Sequence, residues 1–257
     1  MAVSKPTILS IALLLVLGSS IFLNILLLGR AKQYYRELNQ TRLDPLGLTN
    51  HPINAQPATN TKQTRVVFFG DSRAASWTSP NLGEYEFINR GIGSQTSVQA
   101  IERFAYHVSS LKPKIVIIQV GVNDLKTIPL FPESRNAIVA NCQANIKRIV
   151  EESKNLGAVV IVTTIFPVGE VPLERKPFWS DDISRAIQEV NTYIATLAGD
   201  KVIVFDTFPI LGDSQGKILP QYKRDELHFN VQGYEILNQN LLRILSIIRQ
   251  KKIQSGL

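Results

Sequence analysis

The chain has 257 residues, 44% hydrophobic and 19% charged, with a formal net charge of +7. That length suits one ordinary domain with an appendage, or two small ones, and the composition excludes wholesale disorder and collagen-like or low-complexity chains. A single cysteine, Cys142, excludes an intramolecular disulfide framework and a zinc site built from several thiolates; it reads as a small apolar residue on a helix. The charge is uneven. Residues 1–64 hold six Lys/Arg against Glu37 and Asp44, so more than half of the excess lies beside the N-terminus. With no dense basic run interleaved with aromatics, no nucleic-acid partner is expected.

Ile8 to Leu28 is an uncharged run of 21 residues rich in Leu and Ile. As a helix it spans about 31 Å, close to the hydrocarbon thickness of a bilayer. Residues 1–29 therefore read as a single-pass membrane anchor or an uncleaved signal. Gly29-Arg30-Ala31 also passes as a small-x-small cleavage site, so removal stays open. The basic residues after the run would keep the body in the cytoplasm by the positive-inside rule, whereas a short basic start before an apolar run is how exported proteins begin. The expectation is an extracytoplasmic or periplasmic body. Residues 30–64, whose later part is rich in Asn, Thr, Gln and Pro, read as a flexible tether with His51 solvated within it.

From residue 65 to 257 short β-branched or aromatic runs alternate with helical patterns. Strands are expected at 65–69, 85–89, 114–120, 158–165 and 201–206. Three of these are nearly continuous apolar runs, which suits strands buried on both faces. Helices are expected near 97–111, 134–156, 181–198 and 231–250, the last opened by Asn230 as its N-cap. His107 falls on the first of them as a structural residue. Alternation of this kind implies a parallel α/β sheet covered by helices on both sides, with working residues at the carboxyl ends of its strands.

Those ends carry Gly70-Asp71-Ser72, the turn Asn89-Arg90-Gly91-Ile92-Gly93-Ser94, Gly121-Val122-Asn123-Asp124, and Asp225-Glu226-Leu227-His228. A serine hydroxyl becomes a competent nucleophile when a base takes its proton, and His228 is the base available. Asp225, three residues earlier, suits the role of orienting that imidazole. Asp71 and Asp124 read as supports of their turns.

These four blocks, in this order, resemble the SGNH (GDSL-type) hydrolases over about residues 65–250. The resemblance implies a flavodoxin-like three-layer α/β/α sandwich with a five-stranded sheet in order 2-1-3-4-5. It also implies hydrolysis of esters or thioesters with no metal or other cofactor, Ser72, Asp225 and His228 being catalytic. The oxyanion hole would comprise the Ser72 N–H, the Asn123 amide and a backbone N–H of the second block. That block departs from the usual Asn-x-x-x-x-Gly: the final position is Ser94, with Gly93 the alternative donor. Arg73, where Leu is common, reads as an influence on substrate charge, and Trp77 and Trp179 as platforms for a sugar or an acyl chain. The expected substrate is an acylated carbohydrate or a lipid ester. A sugar O-acyltransferase using the same triad, and a non-catalytic binding module, are the alternatives.

Overall fold

The computed structural model describes residues 4–52 and 63–254, divided into two compact units, Met1–Gly47 and Leu48–Leu257. The central part of the expected tether, residues 53–62, lies outside the described residues.

The first unit is one helix, α1 (Lys5–Leu43), capped by the Ser4 side chain and long and apolar enough to cross a membrane. It does not stop near residue 29. The stretch after the apolar run is written in good helix formers and makes helix-spaced contacts such as Gln33 Nε2 to Glu37 Oε1 at 2.9 Å, so the helix propagates. It ends at Asp44, which precedes Pro45 and is thereby disfavoured from helical geometry.

In the second unit β1 (Thr64–Gly70), β2 (Tyr85–Gly91), β3 (Ile115–Gln119), β4 (Val159–Thr163) and β5 (Val202–Phe205) form an all-parallel sheet in order β2-β1-β3-β4-β5. The apolar runs are explained by burial on both faces. Val67 and Phe69 of β1 and Val116 and Ile118 of β3 join one core, packed under α3 (Ser97–His107), α5 (Arg135–Asn155) and α6 (Asp181–Ala195). Their neighbours Val66, Phe68, Ile115 and Ile117 join the other, under α8 (Val231–Gln254) through Leu237, Leu241 and Leu245. The result is a three-layer α/β/α sandwich. Short helices α2 (Ser72–Ala75), α4 (Val122–Leu125) and α7 (Phe208–Leu211) follow β1, β3 and β5 directly.

Two local readings change. The helix expected to reach 111 ends at His107, and Ser109–Leu111 tightens into a 3-10 turn closed by Lys112 in the left-handed region (φ 47°). His51 is not solvated: its Nε2 lies 3.3 Å from the Gly91 carbonyl oxygen, Arg90 Nη1 is 3.2 Å from its Nδ1, and its ring meets His107 edge-on. Burial holds its pKa below the ordinary value. Cys142 is buried on α5, and burial raises its thiol well above the usual range.

Candidate active site

Every candidate block lies at the carboxyl edge of the sheet. β1 ends at Gly70, where a Cβ would stand 1.7 Å from the Gln119 carbonyl oxygen; only glycine lets β1 and β3 approach this closely. Asp71 then caps α2, its Oδ1 accepting the Arg73 N–H at 2.8 Å, so that Ser72 is the helix's first residue. Asn89 at the end of β2 fixes this turn from the side. Its Nδ2 donates to the Ala74 carbonyl at 2.8 Å, while its Oδ1 accepts the Gly91 N–H at 2.8 Å.

The loop before α8 is folded by Asp225. Its Oδ1 accepts the backbone N–H groups of Leu227 and His228, both at 2.8 Å, which curls the chain so that the His228 ring returns to the same carboxylate. His228 Nδ1 lies 2.9 Å from both Asp225 oxygens, and Nε2 lies 2.9 Å from Ser72 Oγ. Burial would raise the Asp225 carboxyl, but the two backbone N–H donors and the imidazole outweigh it and hold its pKa below the ordinary value. Ser72, His228 and Asp225 thus form one hydrogen-bonded line.

The turn after β2 faces Ser72. Gly93 adjoins the serine, a Cβ on it standing 3.9 Å from Ser72 Cβ, and the exposed Ser94 follows with φ 63°. A serine thus holds the left-handed conformation that glycine adopts without a Cβ penalty. Asn123 on α4 is buried and donates from Nδ2 to the Gln95 carbonyl at 2.9 Å, which ties α4 to this turn. Asp124 grips the next residue but one: its Oδ2 accepts the Ser97 N–H at 2.8 Å and its Oδ1 the Ser97 hydroxyl at 2.6 Å.

Two substrate assignments are corrected. Arg73 has no exposed surface. Its Nε and Nη1 donate to the Leu227 and Phe166 carbonyls at 2.8 Å, and Nη2 donates to the Pro167 carbonyl at 3.2 Å. It is a clamp between the serine turn, the loop after β4 and the histidine loop, and cannot touch substrate. Desolvation lowers its pKa to about 10, still far above neutrality. Trp77 is likewise core: it packs among Phe68, Phe166, Phe205 and Tyr234, and its Nε1 donates to Asn238 Oδ1 at 2.8 Å. Trp179, half-buried in the loop after β4, packs against the core beneath α6.

The sequence reading missed the polar ties under the site. Arg103, fully buried on α3, donates from Nη2 to the Gly70 carbonyl and from Nη1 to the Arg90 carbonyl, both at 2.8 Å, and lies over the Phe69 ring. Its signal was available: an arginine on the helix face shared by Ala100, Phe104 and His107 must find buried acceptors. Asn191 on α6 brackets Ile165, accepting its N–H at 2.7 Å and donating to its carbonyl at 3.0 Å.

The chain is similar to several known proteins. An uncharacterised lipoprotein of Bacillus subtilis (strain 168), YqeF, is 29% identical over 123 residues, 41% of this chain and 49% of that protein, so the match spans about half of the relative's length. A GDSL-like lipase from Bacteroides thetaiotaomicron is 26% identical, with a TM-score of 0.61 covering 82% of this chain and 97% of that one. A lipase/acylhydrolase from Enterococcus faecalis shares the fold at 23% identity and a TM-score of 0.53, over 71% of this chain and 95% of that one. The model of the GDSL-like lipase/acylhydrolase family matches residues 60–236, most of the chain, and the chain belongs to that family.

Proposed function

We propose that the chain is a membrane-tethered serine hydrolase that cleaves carboxylic esters through an acyl-enzyme, its 1–29 segment the anchor and its catalytic body extracytoplasmic. The observation that carries this reading is the 2.9 Å contact between Ser72 Oγ and His228 Nε2, continued at 2.9 Å to Asp225. In the attack step the Ser72 oxygen adds to the ester carbonyl while its proton passes to Nε2. Asp225, held as a carboxylate by the Leu227 and His228 N–H groups, stabilises the imidazolium that forms. Collapse of the tetrahedral intermediate expels the alcohol, which takes that proton, and a water activated by the same ring then releases the acid.

The oxyanion is assigned to the Ser72 N–H, the Ser94 N–H (with Gly93 the alternative) and the second N–H of the Asn123 amide, the first being committed to Gln95. Small acyl groups on envelope carbohydrate, or lipid esters, are the substrates in view. A fluorophosphonate probe on the folded full-length chain tests the reading. Labelling at Ser72, with p-nitrophenyl acetate hydrolysis that disappears in Ser72→Ala, is the expected result; absence of labelling, or equal rates in both proteins, overturns it.

A further inference from the structure

The apolar surface of the body is not spread evenly. Among the described residues, its five most exposed large apolar side chains are Leu173, Val231, Phe178, Leu130 and Phe131, from 78% down to 52% exposed; Tyr106 and Ile247 come next at 48%. All five stand on segments leaving the carboxyl ends of strands. Leu130 and Phe131 follow α4, Leu173 and Phe178 bound the 3-10 segment after β4, and Val231 comes three residues after His228. Contacts join these segments around the catalytic loop: Arg175 pairs with Glu226, Lys223 Nζ donates to the Glu170 carbonyl at 3.3 Å, and Arg135 pairs with Asp182 at 3.1 Å.

We propose that this edge is a lipid-contact surface, its apolar loop tips resting in the outer part of the bilayer that holds the chain's own N-terminal helix. The inference rests on the reading of the chain as a membrane-tethered hydrolase and gives that site a lipid-embedded ester as substrate. Two observations favour a lipid surface as the occupant. The segments 126–135, 166–182 and 220–231 together carry six Lys/Arg and seven Asp/Glu, a near balance that suits a neutral or zwitterionic lipid and offers no attraction to a polyanion. The helix continues for fifteen residues, about 22 Å, past Leu28, and the twenty residues between Leu43 and Thr64 reach at most about 70 Å when fully extended, so an anchored helix holds the body within about 90 Å of the bilayer. At that effective concentration, loop tips too few to bind lipid on their own suffice to orient the body.

The full-length chain, reconstituted through its helix into phosphatidylcholine vesicles, tests this. An environment-sensitive fluorophore is attached at Leu173→Cys or Phe178→Cys, and at Leu156→Cys, which is exposed at the opposite end of the sheet. Quenching by spin-labelled lipid at 173 and 178 but not at 156 is the expected result. Quenching at all three sites, or at none, overturns the proposal. In parallel, the double variant Leu173→Ser/Phe178→Ser should lower turnover of a long-chain ester in the vesicle by about tenfold and leave soluble p-nitrophenyl acetate hydrolysis unchanged. An equal effect on both substrates, or on neither, also overturns it. Quenching at 173 in a chain whose Ser72 resists the fluorophosphonate sinks the hydrolase reading and keeps the surface; labelling without quenching does the reverse.

Discussion

Around Ser72, α2 and the 91–97 turn are held by side chains that have almost no exposed surface: Arg73, Arg103, Ser97, Asn123 and Asp124. Across the same edge, the loops bearing Leu130, Phe131, Leu173 and Phe178 present apolar side chains to solvent, and the loop after β4 meets the Asp225–His228 loop through the Gly169 N–H, which donates to the Glu226 carbonyl at 2.8 Å, and through the pairing of exposed Arg175 with buried Glu226. The contrast follows from what each part has to do. The proton transfer proposed between Ser72 and His228 over 2.9 Å tolerates little displacement, and its supports are buried hydrogen bonds directed at backbone carbonyls, where an unmade bond costs most. A surface that adapts to a substrate or a lipid needs no fixed geometry.

The largest test of this contrast removes Arg73. Arg73→Leu leaves the carbonyls of Leu227, Phe166 and Pro167 without their donor and deprives buried Asp71 of its neighbouring cation. A loss of about 3–5 kcal/mol in stability is expected, by the reasoning that applies to a broken buried charge network. Chemical denaturation measures it, and the surviving folded protein should show lowered kcat because the histidine loop has lost its clamp. Leu173→Ser on the opposite loops should change stability by less than about 0.5 kcal/mol.

Asn123→Ala comes next. It deletes a proposed oxyanion donor and also frees the Gln95 carbonyl, so kcat should fall by about 10²–10³. Because no titrating group is removed, the acid limb of kcat/KM, set by protonation of the general base, should stay where it is; a displaced limb would mean that the residue acts through His228 instead.

These residues also show what one sequence discloses. Ser72, Asn123, Asp225 and His228 stand out in the sequence as candidates because each lies in a short block whose geometry is local: a cap, a strand end, an Asp-x-x-His turn that closes on itself. The sheet was legible because burial on both faces writes itself as continuous apolar runs. Arg73 and Trp77 were misread because their partners, Leu227 and Asn238, lie more than 150 residues away, and nothing in Gly-Asp-Ser-Arg says whether that arginine points out or in. His51 was misread for the same reason, since its contacts come from Gly91, Arg90 and His107.

Asp71 sharpens the buried side through pH. Its carboxyl is fully buried, and desolvation, only partly offset by Arg73, raises its pKa from 3.8 to about 6. The folded state therefore binds more protons than the unfolded chain between those values. The associated stability is complete below the ordinary carboxylate range and is lost as pH rises through about 6, a change of about 3 kcal/mol. Asp71→Asn keeps an oxygen for the Arg73 N–H and has nothing to titrate. Its denaturation midpoint should lack the decline between pH 4 and 7 that the parent shows from this group, and a decline of equal size in both proteins would assign it elsewhere.

Ser94, exposed on the turn beside Ser72, provides the smallest and most local test. At φ 63° its backbone occupies the left-handed region at a cost of about 1 kcal/mol for a residue with a Cβ. Ser94→Gly relieves that cost and adds freedom to the unfolded chain, so a gain of no more than about 1 kcal/mol is expected. If the backbone N–H is the oxyanion donor, the hydroxyl is dispensable, and kcat should stay within about twofold in both Ser94→Gly and Ser94→Ala. A proline here is not a clean deletion of the N–H, because its ring fixes φ near −65° and the turn would have to rebuild. The decisive comparison is therefore between the glycine and alanine variants. Equal, near-parental rates leave the donor in the backbone. A tenfold loss in both would move the role to the Ser94 hydroxyl, and a loss in alanine alone would show that the serine side chain supports the left-handed turn against its intrinsic cost.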